Sequence, residues 1–337
     1  ALAGIGSVFL IYLIGRKMFD EQVGLIAAAV LAISSHAVFA SRTALMEPIA
    51  LLLIFLSWYL FLLALDNLKW WPWWGVALGY SWLAKYTAFP VLAVCLAYLV
   101  LFRRNVFKIK QFYFGLAAVA LLFSPVVAYN VMLYRTRGHF DLQFSALLRQ
   151  NVPAWQTLSQ KVSSSYADNF FGVGAGLVDA YSPVALALAV AGLGYLIWQL
   201  VTPLPFVPLT SPFGQPLPQG RGNKGKALSY CLPHKGGGNI VGATGRNAAT
   251  PSSLPLVRGG NYSLLLFFFI AYTLLVVLIK PLPRFLSYYL VVFPLATGAV
   301  LAAVWEAKRG IERHAVFGLL ALAAIYELGF SVNTNLL

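Results

Sequence analysis

Apolar residues run in long blocks along this chain, at about 1–15, 23–40, 48–65, 70–84, 88–102, 111–133, 183–201, 262–279, 285–304 and 315–333. Blocks of this length with almost no charge inside them predict helices that cross a bilayer, for which about 20 apolar residues suffice. The stretch 70–102 is too long for one span, and Lys85, Tyr86 and Thr87 interrupt its middle. It therefore divides into two short helices that turn near Lys85. The pattern predicts ten spans. Ala1 already lies inside an apolar run, with no initiator Met and no signal-peptide n-region before it, so the chain reads as truncated at its N-terminus.

Two stretches break the pattern. Residues 134–182 hold Arg135, Arg137, His139, Asp141, Asp168 and Asp179, with short amphipathic pieces such as Phe140 to Leu148. Such a segment either lies on the bilayer surface over a substrate site or serves as a spacer without chemistry. Residues 202–261 hold nine of the 18 prolines, eleven of the 28 glycines, six basic residues and no acid, and have no apolar periodicity. This composition predicts a disordered insertion between an N-terminal bundle, 1–201, and C-terminal helices, 262–337.

Composition agrees with the pattern. Of 337 residues 60% are hydrophobic, 15% aromatic and only 10% charged, with mean hydropathy +0.77. A soluble domain carries about 25% charged residues, so disordered, coiled-coil and ordinary cytosolic classes are excluded. The expected fold class is all-α, a polytopic transmembrane helical bundle, and the expected location is an integral, multi-pass one in a membrane.

Lys and Arg number 24 against 10 acids, a net charge of +14. In a soluble protein this would suggest nucleic acid; in a membrane protein it marks cytoplasmic loops instead, and no nucleic-acid partner is expected. Alternating the loops from Arg16 and Lys17 puts 16 basic residues on one side and 8 on the other, or 10 against 8 without the insertion. The richer side is expected to be cytoplasmic. Cys95 and Cys231 offer neither a disulfide framework nor metal spacing, and His36, His139, His234 and His314 are scattered. No cofactor is implied, and a divalent metal stays open.

Some motifs mislead. Gly220 to Lys226 matches G-x-G-x-x-G and the opening of a P-loop, but Pro-rich sequence precedes it and Ala227 stands where Mg²⁺ needs a hydroxyl. Gly172, Gly174 and Gly176 lack a preceding strand, and the sequon at Asn261 falls on the expected cytoplasmic side. Trp70, Trp71, Trp73 and Trp74 beside Asp66 and Lys69 fit an interfacial belt.

Ionisable groups in or beside hydrocarbon cost several kcal/mol unless paired or hydrated, which makes each a functional candidate. Three places on the expected outer face qualify. In Ser41-Arg42 through Glu47-Pro48, either Arg42 and Glu47 close the hairpin as an ion pair, or Glu47 serves a reaction centre. Pro48 would start the next helix, whose dipole favours an ionised Glu47. Lys85 occupies a near-zero-length turn, either as a structural lysine or as a point charge for a phosphate. Lys280 to Tyr289 includes Arg284 and Tyr288, either an interface anchor or a grip on an anionic head group. One acid with cations from two other loops is what a lipid-phosphate leaving group requires.

These residues, in this order, resemble the membrane-embedded GT-C glycosyltransferases of the protein O-mannosyltransferase and aminoarabinose-transferase type, the dolichyl-phosphate-mannose-protein mannosyltransferase-like superfamily. The resemblance rests on Tyr12 to Phe19 with Val23-Gly24-Leu25, on Ser41-Arg42 with Glu47-Pro48, on Leu83 to Thr87, and on Arg284-Phe285 with Tyr288 leading to Pro294. It implies inverting transfer of a sugar from a polyprenyl-phosphate donor to a glycan, lipid or protein acceptor at the outer face. It makes Glu47 a catalytic acid position and puts Lys85 and Arg284 on the donor phosphate, with Arg42 and Tyr288 as further substrate contacts. The main catalytic acid of the family lies in the first outer loop, which this chain is expected to lack, so the chain alone is expected to be inactive. The rival expectations are a transporter or flippase of lipid-linked precursors, which calls for inverted repeats that the sequence does not display, and a non-catalytic remnant.

Overall fold

The computed structural model describes residues 1–42, 46–148, 150, 152–153, 165–202, 258–279, 283–307 and 311–336. Ala1–Thr202 and Pro255–Leu337 form one unit, to which everything below belongs; the second unit, Pro203–Leu254, lies outside the described residues, as does most of the expected insertion. The described chain is α-helical, with short 3₁₀ turns and no strand among the described residues.

The first helices are α1 (Leu2–Met18), α2 (Glu21–Ile33), α3 (Ser35–Arg42) and α4 (Glu47–Asp66). Then come α5 (Trp71–Ala84), α6 (Pro90–Phe102), α7 (Lys110–Arg137), α8 (Leu142–Leu147) and α9 (Tyr166–Ala180). The remainder are α10 (Pro183–Val201), α11 (Arg258–Ile279), α12 (Pro283–Leu286), α13 (Phe293–Ala307) and α14 (Ile311–Leu336). Every apolar block of the sequence is helical. Not every block is a helix of spanning length, however. Among the described residues five helices are long and apolar enough to cross a membrane, namely Glu47–Asp66, Lys110–Arg137, Pro183–Val201, Gly260–Leu278 and Ser287–Ala307. The pair α2 and α3, bent by 61°, makes a sixth if counted as one. Of the expected ten, α5 and α6 fall short of spanning length, with 14 and 13 residues, about 20 Å each, against a hydrocarbon core of about 30 Å.

Local chemistry sets the breaks. Asp20 caps α2 by accepting from Val23 N–H at 2.8 Å. Ser34 adopts an extended conformation and produces the bend into α3. Pro48, Pro72, Pro90 and Pro183 each stand in a first turn, where a missing N–H costs nothing. The α7 helix ends at Gly138, whose φ of 74° would strain any other residue. The expected turn near Lys85 is present: Lys85 is extended, and a 3₁₀ turn, Tyr86–Ala88, leads into α6.

Helices meet where small residues let backbones approach, as in membrane bundles generally. A Cβ on Gly15 would strike Gly24, which brings α1 against α2, and one on Gly75 would strike Gly115, which brings α5 against α7. The core is aromatic: Trp58, Phe61, Trp71, Trp74, Tyr98 and Phe112 are buried. Trp71 and Trp74 thus leave the expected interfacial belt, because their spacing puts both on the face of α5 that packs on Phe61 and Phe112. Trp73 points outward, 61% exposed, and Lys69 lies over the ring of Trp70.

The C-terminal helices complete the bundle. The α13 helix packs against both α2 and α10, and α11 against α6. The α11 helix begins at Arg258, so residues 258–261 belong to it and not to the insertion. Its Asn261 is buried and donates its side-chain amide to the Met18 carbonyl, the end of α1. Gly172, Gly174 and Gly176 lie within α9, without phosphate-loop geometry.

Candidate functional site

Two contacts fix which residues share an end of the bundle. The nitrogen of Ala1 lies 3.1 Å from Ser41 O, beside the start of α4, whereas Lys17 pairs with Asp66 at the other end. Glu47, the start of α6 and the segment from α12 to α13 all lie at the first end.

The centre of that end is an ion pair. Glu47 opens α4, and its carboxylate accepts from the Lys85 ammonium; Glu47 is 4% and Lys85 9% exposed. The sequence offers Arg42 as the partner of Glu47; the structure joins Lys85 to it. Arg42 closes α3, is exposed, and lines a cavity of about 710 Å³ with Ser41, Pro48, Leu51, Val8 and Tyr12. Its walls are largely apolar, with Arg42 among its lining residues.

The Lys85 ammonium also lies 5.2 Å from the centre of the Phe285 ring, a cation–π contact that brings α12 into the site. Arg284 is in α12, but its side chain and residues 280–282 lie outside the described residues. Tyr288 follows in a 3₁₀ turn, Ser287–Val291, and is buried, not at a surface. Its hydroxyl accepts from Thr87, and its ring stacks on Tyr272 with centres 5.3 Å apart and planes within 3°.

Three groups that sequence reasoning passed over hold this segment. His36 Nε2 is 2.9 Å from Ser287 Oγ. Thr273 and Tyr289 share a hydroxyl–hydroxyl bond of 2.9 Å. Tyr181 donates to Leu286 O at 2.8 Å, and burial, with Tyr289 nearby, raises its hydroxyl pKa well above the ordinary value, which keeps the donor proton in place. Thr87 is visible beside Lys85 in the sequence; His36 reads there as one of four scattered histidines, and its partner is 251 positions away. The ionisable residue missed outright is Glu327, in an apolar run of α14.

The start of the long loop folds onto the same region. Asp141 caps α8 through Phe144 N–H at 2.9 Å and is held by Asn130 of α7. Phe144 then packs on Tyr86 and Phe89, next to Lys85. This supports a place beside the site over a spacer role. Among the described residues no three of His, Cys, Asp and Glu converge as metal ligands.

A buried pair of this kind has a definite chemistry. Two charges removed from water cost several kcal/mol each, and their attraction repays this only in good geometry. Glu47 gains further from the positive end of the α4 dipole. An anion arriving at Lys85 competes with Glu47 and leaves its carboxylate available to a proton donor.

Residues 1–129 match the profile of the family described as dolichyl-phosphate-mannose-protein mannosyltransferase. No curated protein matches the chain in sequence. In structure the chain is similar to the Archaeoglobus fulgidus oligosaccharyltransferase in the apo form, with a TM-score of 0.55 and 14% sequence identity. The match covers 99% of this chain and 44% of the archaeal one, so the chain spans less than half of that protein's length. At this identity the likeness speaks for the fold. The chain is a multi-pass integral membrane protein with the GT-C fold, and its first 129 residues match the mannosyltransferase profile.

Proposed function

We propose that the protein is a membrane glycosyltransferase that moves a sugar from a polyprenyl-phosphate donor to a glycan, lipid or protein acceptor on the membrane face where Glu47 lies. The observation that carries this reading is the buried Glu47–Lys85 pair, formed by residues inside the segment that matches the mannosyltransferase profile.

In the reaction an acceptor hydroxyl attacks the anomeric carbon, the bond from that carbon to the phosphate oxygen breaks, and polyprenyl phosphate leaves with the electron pair. Lys85 answers the negative charge that grows on the phosphate. The hydroxyl proton goes to the main acid that the resemblance puts in the first outer loop, and Glu47, released as Lys85 turns to the phosphate, assists as the second carboxylate. Arg42 and Arg284 supply further positive charge, and Tyr288 holds the Lys85 turn through Thr87. The largely apolar cavity that Arg42 helps to line suits an anionic head on a hydrocarbon tail.

The test measures sugar transfer from a polyprenyl-phosphate sugar in membranes carrying the intact protein. Glu47→Gln, nearly isosteric, is expected to lower turnover by about 10²–10⁴. Lys85→Ala is expected to lower it by about 10²–10³. Wild-type rates in both variants of a full-length version, or no transfer by that full-length version itself, overturn the assignment.

A further inference from the structure

Where its side chains are described, the α14 helix meets the bundle through Glu327 and Ser331 as well as through apolar residues such as Leu320 and Ala323. Among its described residues Glu327 and Ser331, one turn apart, are buried, while Leu322, Ile325, Leu328 and Val332 are exposed. In lipid this arrangement is favourable, because apolar side chains gain nothing by leaving the hydrocarbon and polar ones join helices. A carboxyl in such a place is functional by default, since an idle one would be costly.

Glu327 is 5% exposed, and both of its oxygens are engaged. Oε1 accepts from Ser35 N–H at 3.3 Å, and Oε2 accepts from the Ser182 hydroxyl. Ser35 opens α3 immediately after the 61° bend, and Ser182 caps α10. One carboxyl therefore holds the starts of two helices. Both ion pairs among the described residues lie elsewhere.

The contacts continue toward the site. Next to Ser35 is His36, bonded to Ser287; next to Ser287 is Tyr288, which accepts from Thr87, two positions from Lys85. A cavity of about 240 Å³ beside Glu327, lined by Ile26, Leu188, Leu301 and Ala323, leaves α14 room to shift if the bonds are lost.

We propose that Glu327 is a positioning residue: by clasping the starts of α3 and α10 it fixes His36, and through Ser287 and Tyr288 the turn that carries Lys85. Its role in turnover rests on the glycosyltransferase reading above, but the coupling itself does not.

The experiment is a double-mutant cycle in the intact protein with Glu327→Leu and Ser287→Ala, accompanied by Glu327→Gln. Unfolding midpoints in detergent and kcat/KM for a polyprenyl-phosphate sugar are measured for each. Glu327→Leu is expected to lower kcat/KM about tenfold, within the range for residues that act through others. Glu327→Gln keeps an oxygen for Ser35 N–H and an amide for Ser182, and is expected to stay within about threefold. Adding Ser287→Ala to Glu327→Leu should cost much less than it costs the wild-type protein, in both readouts. Additive effects, or a Gln variant as impaired as the Leu variant, overturn the inference. A wild-type protein that transfers no sugar yet shows non-additive midpoints sinks the functional reading and leaves the clasp standing.

Discussion

The α4 helix carries an acid at each end, and each is paired with a lysine from elsewhere in the bundle. At one end Glu47 meets Lys85 with side chains 5% and 9% exposed; at the other Asp66 meets Lys17 with 24% and 31%. The chemistry is the same and the surroundings are not. The Asp66 pair lies where water and salt reach it, and there it does local work, offsetting an acid at the negative end of a helix dipole. The Glu47 pair has given up hydration, so a well-packed apolar pair in its place would be as stable or more so. A buried ion pair is therefore weak evidence for stability, and the proposed role in handling an anion gives the Glu47 pair another reason to exist.

This contrast can be broken at several points. The largest expected effect is that of Lys85→Ala, which leaves Glu47 buried without its cation and should cost about 3–5 kcal/mol in a detergent unfolding titration. The double variant Glu47→Leu/Lys85→Met should recover most of that loss and none of the sugar transfer; recovered transfer would mean that the pair is structural. A smaller effect is expected for Tyr288→Phe, which strips Thr87 of its acceptor, at about 1–2 kcal/mol by the same titration. The smallest is Lys17→Ala, at about 0–1 kcal/mol and less in 1 M salt. A Lys17 variant as damaged as the Lys85 variant would erase the difference between the two ends.

Much of the fold was legible because each apolar block becomes a helix, and because Pro48, Pro90 and Lys85 mark breaks by local chemistry alone. The span count was less legible, since a run of apolar letters does not say whether 14 residues cross a bilayer or pack beside a longer neighbour. Trp71 and Trp74 show the same difficulty: their letters suit an interface, and only the backbone approach at Gly75 and Gly115 turns them inward. In the site, Glu47 and Lys85 stood out as charges in apolar surroundings, but their pairing spans 38 positions and had Arg42 as a nearer rival. Glu327 gave the same signal and was missed, and its partners at Ser35 and Ser182 belong to tertiary structure alone.

The amide of Asn261 on the last carbonyl of α1 joins residues 243 positions apart, and α13 seals α2 just as late in the chain. Contacts so distant in sequence are slow to form, because the loop they close must be ordered first. During synthesis the first hairpin therefore waits, its terminal carbonyl uncapped, until α11 has emerged. The Lys85 turn waits longer still for Tyr288. The end that holds Glu47 and Lys85 is thus completed late in the making of the bundle, and a chain released early would hold its charges without their frame.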